Sequence, residues 1–392
     1  MCASRLSAIV CGFAALAIAF PAMCASSIDW TGCSVPNFRD DKSKAIAACT
    51  AVLNRADLTN ADRARALIIR GRAEHRANEI DAAIRDYDEA ITLAPNDPEP
   101  LAFRASAAFF KHDLAGASAF NARALKFDPN HPVALDTQGV LEETAGNYTA
   151  AKFAYDKVIA LDPNDVVARF HRFQYWKGIG AGPQALKEIE DLMALHTSRL
   201  DLDYRDFRGK EISYRAMARL QRAFLFESLG RFPDAIKAFD EFVQTDPGAI
   251  SYGVRGWYHI DRSENDLAKA DIEKALSYDP DFFLLHELQG MLFWYAGDYE
   301  HAAASFTRAI ELGPDQPGGS YWWRAMAERA LHHTEAAQKD ALKALSSDPT
   351  FLRTKLKMFR ERGYWQPPES EVDLAIAVHD AVVACMADEE CW

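Results

Sequence analysis

A run of prolines, each after an acidic or small residue, divides most of the 392 residues into nearly equal lengths. Pro95, Pro129, Pro163, Pro247, Pro280, Pro314 and Pro349 stand 34, 34, 84, 33, 34 and 35 residues apart. Two further markers keep the same phase. A small residue lies twelve positions before each proline (Ala83, Ala117, Ala151, Ala235, Ala268, Ala302, Ala337), and Gly71, Gly139, Gly256 and Gly290 lie 24 before theirs. Such self-similarity means that one supersecondary unit is stacked on copies of itself. Proline, which has no N–H, ends one unit and opens the next. Glycine and alanine let two helices approach closely, and Tyr87, Tyr155, Phe239 and Phe306, four residues after the alanines, share their face. Ala145-Gly146-Asn147, Leu229-Gly230-Arg231 and Ala296-Gly297-Asp298 read as turns inside a unit.

Over residues 60 to 350 this pattern resembles the tetratricopeptide repeat, a pair of antiparallel helices. The resemblance implies an all-α fold: a right-handed superhelical solenoid of antiparallel helix pairs with terminal capping helices. The expected organisation is a signal peptide (1–25), an N-terminal cap (26–60) and repeats one to three (61–165). A degenerate repeat with an irregular connection (166–212), further repeats (213–350) and a C-terminal capping segment (351–392) follow. Ser370 and Asp373 look like a capping box for a last helix, and caps cover the apolar end faces of such arrays. Trp30, Cys33, Ile46, Cys49 and Thr50 followed by repeats resemble exported alphaproteobacterial members of the family.

The start of the chain also points to export. Met1 to Arg5 carries one positive charge, Leu6 to Phe20 is apolar, and Pro21-Ala22-Met23-Cys24-Ala25 offers small residues for cleavage, the form of a secretory signal. The apolar stretch is short for a membrane span, so the expected mature chain has no transmembrane segment. It would be periplasmic or secreted, and not a lipoprotein. Three of the seven cysteines fall in that leader. Cys33, Cys49, Cys385 and Cys391 remain, an even number suited to an oxidising compartment. Because the array holds the ends apart, the expected disulfides are Cys33–Cys49 and Cys385–Cys391. Free thiols are the alternative, and the spacings fit no zinc pattern.

Chemistry-bearing motifs are missing. There is no His-Glu-x-x-His, no phosphate-binding loop and no nucleophile elbow. Gly178-Ile179-Gly180 reads as a repeat turn, and His332-His333 as surface residues of another. No catalytic residue, metal or cofactor is expected. A net charge of −13 disfavours nucleic acid.

What remains is the groove that the first helices line in tetratricopeptide proteins. The resemblance implies that the groove-facing residues are Trp257, Glu287, Met291, Trp294, Tyr295, Trp322 and Met326 toward the C-terminus. Toward the N-terminus they are Arg65, Arg72, His75, Arg76, Phe109 and Phe110. Aromatics, Met and Arg are the types that anchor partners, although the same side chains can pack between neighbouring first helices. The Lys and Asn of members that clamp chaperone tails are absent; those positions begin Ile68, Ala102 and Arg72, Ser106. The expected function is a non-catalytic protein–protein interaction scaffold or adaptor of the periplasm or extracellular space, holding a partner peptide or helix. One alternative is a cell-envelope module on peptidoglycan or polysaccharide, from the faint resemblance of Phe359-Arg360-Glu361-Arg362-Gly363-Tyr364-Trp365 to a peptidoglycan-binding domain. The other is an enzyme with an unrecognised site. The oligomeric state is not set by the sequence.

Overall fold

The computed structural model describes residues 28–33, 42–201, 203–205, 211–313, 318–347, 349–364 and 374–387. The expected signal peptide, Ser370, Asp373 and Cys391 lie outside them. Nineteen helices are present among the described residues. A lone helix α1 (Lys42–Leu53) precedes eight hairpins. These are α2 (Asn60–Arg76) with α3 (Ile80–Leu93), α4 (Pro98–Phe110) with α5 (Leu114–Phe127), α6 (Pro132–Thr144) with α7 (Tyr148–Leu161), and α8 (Val166–Gly178) with α9 (Gly182–Met193). Then come α10 (Tyr214–Ser228) with α11 (Phe232–Thr245), α12 (Ala249–Asp261) with α13 (Asn265–Tyr278), α14 (Phe283–Tyr295) with α15 (Tyr299–Leu312), and α16 (Gly318–Ala330) with α17 (Thr334–Ser347). Helices α18 (Pro349–Glu361) and α19 (Leu374–Ala387) follow. The chain divides into two compact units after Thr137, within α6.

The three sequence markers each have a structural cause. All seven marker alanines are completely buried, so a larger side chain there would force the two helices of a hairpin apart. The glycines lie beneath the residue sixteen positions later. A Cβ on Gly139 would come within 2.2 Å of the Tyr155 ring. Pro95, Pro129, Pro163, Pro247 and Pro280 stand between the second helix of one hairpin and the first of the next, and Pro349 is the first residue of α18. Helix starts are capped by side chains: Asp97 accepts from the Glu99 amide with Pro98 in the first turn, and Ser213 accepts from the Ala216 amide.

Inside each hairpin the turn places one residue in the left-handed region. Gly146, Gly180, Gly230 and Gly297 take it at no steric cost, whereas Asn78, His112, Ser263 and His332 take it with a side chain. His332 is therefore a turn residue, and Gly180 shows that Gly178-Ile179-Gly180 closes α8.

Residues 166–193, read as a degenerate repeat with its turn at Gly178-Ile179-Gly180, form a hairpin with that turn. The irregular part is residues 194–213, with a short 3-10 turn at Ser198–Asp201 and an antiparallel ribbon of β1 (Asp203–Arg205) on β2 (Glu211–Ser213). Leu200 and Ile212 are buried in the same core as α8–α11, so this connection is fastened by apolar packing at both ends. At the N-terminus Cys33 and Cys49 are joined in a disulfide, Cα atoms 4.7 Å apart, in a core with Trp30 and Leu67. Cys385 is buried against α16 and α17.

Candidate functional site

The strongest recurring side-chain contact joins the two helices of a hairpin. One residue before Gly71 and Gly256, and at the equivalent positions of α8 and α16, stands an arginine whose guanidinium reaches an acid sixteen residues on. Arg70 meets Asp86 at 2.7 Å, Arg172 meets Glu188 at 2.6 Å, Arg255 meets Asp271 at 2.7 Å and Arg324 meets Asp340 at 2.6 Å. The four acids are at most 7% exposed. Each arginine also reaches back to the preceding helix, to Thr50 on α1, Asp156 on α7, Asp240 on α11 and Thr307 on α15. The guanidinium fork suits this bidentate, two-sided grip. The trace of this clamp in the sequence is an Arg before Gly71 and Gly256 and an acid three residues after the small alanine of the second helix, residue types too common on surfaces to single it out without burial. It is a structural device that joins neighbouring helices.

The residues expected to face a partner do not share one environment. Trp322 is 4% exposed and Met326 is 8% exposed, so neither is open to a partner, contrary to the expectation. The reason is α18. Phe351 and Phe359 pack on Trp322 with centroids 5.8 and 6.1 Å away, and the Lys355 ammonium sits 4.2 Å from its ring. Burial there lowers the Lys355 pKa to about 8. Because Phe359 is fully buried and the Tyr364 amide bonds back to its carbonyl, the Phe359–Tyr364 run is a helix end packed on the core; Trp365 lies outside the described residues.

Trp257 is half-buried edge-on to Phe224 of the preceding first helix, with centroids 5.7 Å apart. Glu287 accepts from the Ser320 hydroxyl at 2.9 Å, linking α14 to α16. Met291 is half-buried. Trp294 is half-buried between Tyr299 and Trp323, and Tyr295 beside it is 55% exposed. Trp323 lies parallel on Phe306, with centroids 6.1 Å apart.

In the first unit Arg65 is exposed above the Trp30 ring. Arg72 lies over Phe103 and 3.5 Å from Glu99. Arg76 and Phe109 are half-buried, and Phe110 is 63% exposed. His75 packs edge-on against Phe110, and burial lowers its pKa to about 4, so its ring is neutral at physiological pH.

One further feature lies outside these sets. An open cleft of about 1010 Å³ lies beside α16 and α17, lined by Tyr321, Lys339, Leu342, Lys343, Leu352 and Val378. Among the described residues no group of three or more His, Cys, Asp or Glu is placed to hold a metal ion, and no helix is long and apolar enough to cross a membrane.

Comparison with known families agrees with this geometry. Residues 39–98 and 254–317 match one tetratricopeptide-repeat family model, and residues 134–165 match a second. The chain contains tetratricopeptide repeats. It is similar to mouse superkiller complex protein 3, with 22% identity over 275 residues, which is 69% of this chain but only 17% of that relative's length. Among solved structures it is similar to a tetratricopeptide repeat protein from Parabacteroides merdae, with 18% identity, TM-score 0.38 and coverage of 73% of this chain and 92% of the other. It is also similar to Pseudomonas aeruginosa PilF, with 16% identity, TM-score 0.44 and coverage of 59% and 98%. Tetratricopeptide repeats generally mediate contacts between proteins.

Proposed function

We propose that this chain is a non-catalytic interaction scaffold of the periplasm or extracellular space, which holds a peptide or helix of a protein partner against its first helices. The observation that carries the reading is the pair of large aromatics left open on first helices, Phe110 at 63% and Tyr295 at 55% exposure. Phe110 packs against His75 and Tyr295 against Trp323, and the first helices of the same hairpins or their neighbours also carry Arg72, Arg76, Met291 and Trp294, residue types that anchor partners. The leader-like start of the chain and the Cys33–Cys49 disulfide support an oxidising compartment.

The test is association measured with purified protein against an envelope extract. Phe110→Ser and Tyr295→Ser should reduce association at least tenfold while the thermal melt stays within about 2 °C, because exposed positions contribute little to folding. Unchanged association in both variants would contradict the reading. Fractionation of the full chain, with the leader intact, tests the compartment: recovery in the cytoplasm at full length would overturn it.

A further inference from the structure

The first hairpin lacks polar pairings that its sister two periods on possesses. In α6/α7, Glu142 accepts from Gln138 and from Asn147, the latter at 2.8 Å, and Glu143 accepts from the Tyr155 hydroxyl at 3.0 Å. The corresponding residues of α2/α3 are Arg70, Glu74, His75, Glu79 and Tyr87. Arg70 commits its Nε and Nη2 to Asp86 and its Nη1 to Thr50, and stays 3.8 Å from Glu74. Glu79 replaces the amide of Asn147 with a carboxylate, which cannot donate while ionised. His75 replaces Glu143 and turns its ring to Phe110. The consequence is that Glu74 is 7% exposed with Oε2 unpaired, and the fully buried Tyr87 hydroxyl is unpaired as well. Two other hairpins fill the same pair of positions with complementary partners, His259 with Glu264 and Glu328 with His333. Only α2/α3 of these four sets acid against acid.

A buried carboxylate with one oxygen unpaired, its nearest cation 3.8 Å away and committed to Asp86, and two acidic neighbours is costly to bury ionised and far cheaper to bury protonated. We propose that the α2/α3 hairpin is a pH-operated element, closed while Glu74 carries a proton and loosened when it ionises. The groups facing Glu74 are Arg70 on its own helix, Glu79 in the turn, and Asp86 and Arg85 on α3. Burial first, and then Asp86, push its pKa up to about 7, with Arg70 opposing. The raised pKa means that the closed hairpin holds a proton the opened chain has released, from about pH 4.3, the ordinary glutamate value, to about pH 7. Opening therefore grows easier with rising pH across that window and is level above it. The element includes Arg72 and Arg76, so these candidate partner-facing residues of the first unit move with it.

The experiment is hydrogen exchange of the full chain between pH 5.5 and 8.5, corrected for the intrinsic exchange rate, with α12/α13 amides as an internal reference. The opening equilibrium of α2/α3 should rise by up to about tenfold per pH unit to pH 7 and then flatten. Glu74→Gln should abolish the rise. Glu79→Asn, which restores the donor found at Asn147, should shift the rise to lower pH. A parent protein with no rise between pH 5.5 and 7, or a Glu74→Gln variant with the parent's slope, would overturn the proposal. If Glu74→Gln does not fold, an unmoved midpoint in Glu79→Asn overturns it equally.

Discussion

Hairpins α12/α13 and α14/α15 occupy successive periods and fasten their helices with different chemistry. In α12/α13 the first helix offers Arg255, held by Asp271 on one side and Asp240 on the other. In α14/α15 the same two positions are Gln289 and Ser305, and the hydroxyl donates to the amide oxygen at 3.5 Å. The next residue is glycine in both. Above Gly256 stands Ile272, whereas above Gly290 stands the Phe306 ring, itself stacked on Trp323. These two hairpins thus share a polar link sixteen residues across and a small residue beside it, but not its charge. The ion pair is replaced by a neutral one where the surroundings turn aromatic, which spares the cost of desolvating two charges.

The largest expected effect separates the two links. Arg255→Ala strands Asp271, which is 5% exposed, and should cost about 2–3 kcal/mol in urea unfolding, whereas Ser305→Ala should cost less than about 1 kcal/mol. Replacing both charges together, Arg255→Met with Asp271→Leu, should recover most of that loss. A double variant as unstable as the single one would show that the pair itself, and not the stranded acid, holds the hairpin.

Next in size are the glycines. A Cβ on Gly290 would lie 2.6 Å from the Phe306 ring and one on Gly256 3.1 Å from Cγ1 of Ile272. Gly290→Ala should therefore cost about 1–3 kcal/mol. Gly256→Ala should stay within about 1 kcal/mol, because the helix propensity gained offsets a small shift of Ile272. Equal costs at the two sites would break the account of why the aromatic requires glycine.

The smallest effect lies in the turns. Ser263 has φ +59° and Gly297 has φ +76°. Ser263→Gly should raise stability by about 0.5–1 kcal/mol and Gly297→Ser should lower it by a similar amount, both read from denaturation midpoints.

The period was legible because apolar and conformational constraints repeat at fixed phase: a buried alanine, a glycine under a ring, a proline between units. The arginine clamp follows the same phase but is written in residue types that are common everywhere on a surface, so it emerges only once burial singles out Asp86, Glu188, Asp271 and Asp340. The fate of Trp322 and Met326 was not legible for a different reason. The packing of α18 on α16 occurs once, at the end of the array, and no repeat pattern announces it. Trp323, one residue away, is the tryptophan that joins the partly open aromatic cluster with Trp294 and Tyr295. The repeat at α8/α9 reads as degenerate because the segment after it lacks the marker proline, and Thr197 stands where the period would place one.

The most direct test of the scaffold reading is photo-crosslinking in cells from position 295, with position 153 as control. Tyr295 lies on a first helix and Phe153, 71% exposed, lies on a second helix. The account predicts a discrete protein adduct from 295 that is absent from 153 and is lost when Met291 and Trp294 are replaced by alanine. The same adducts from both positions, or none from 295 under several growth conditions, would contradict it.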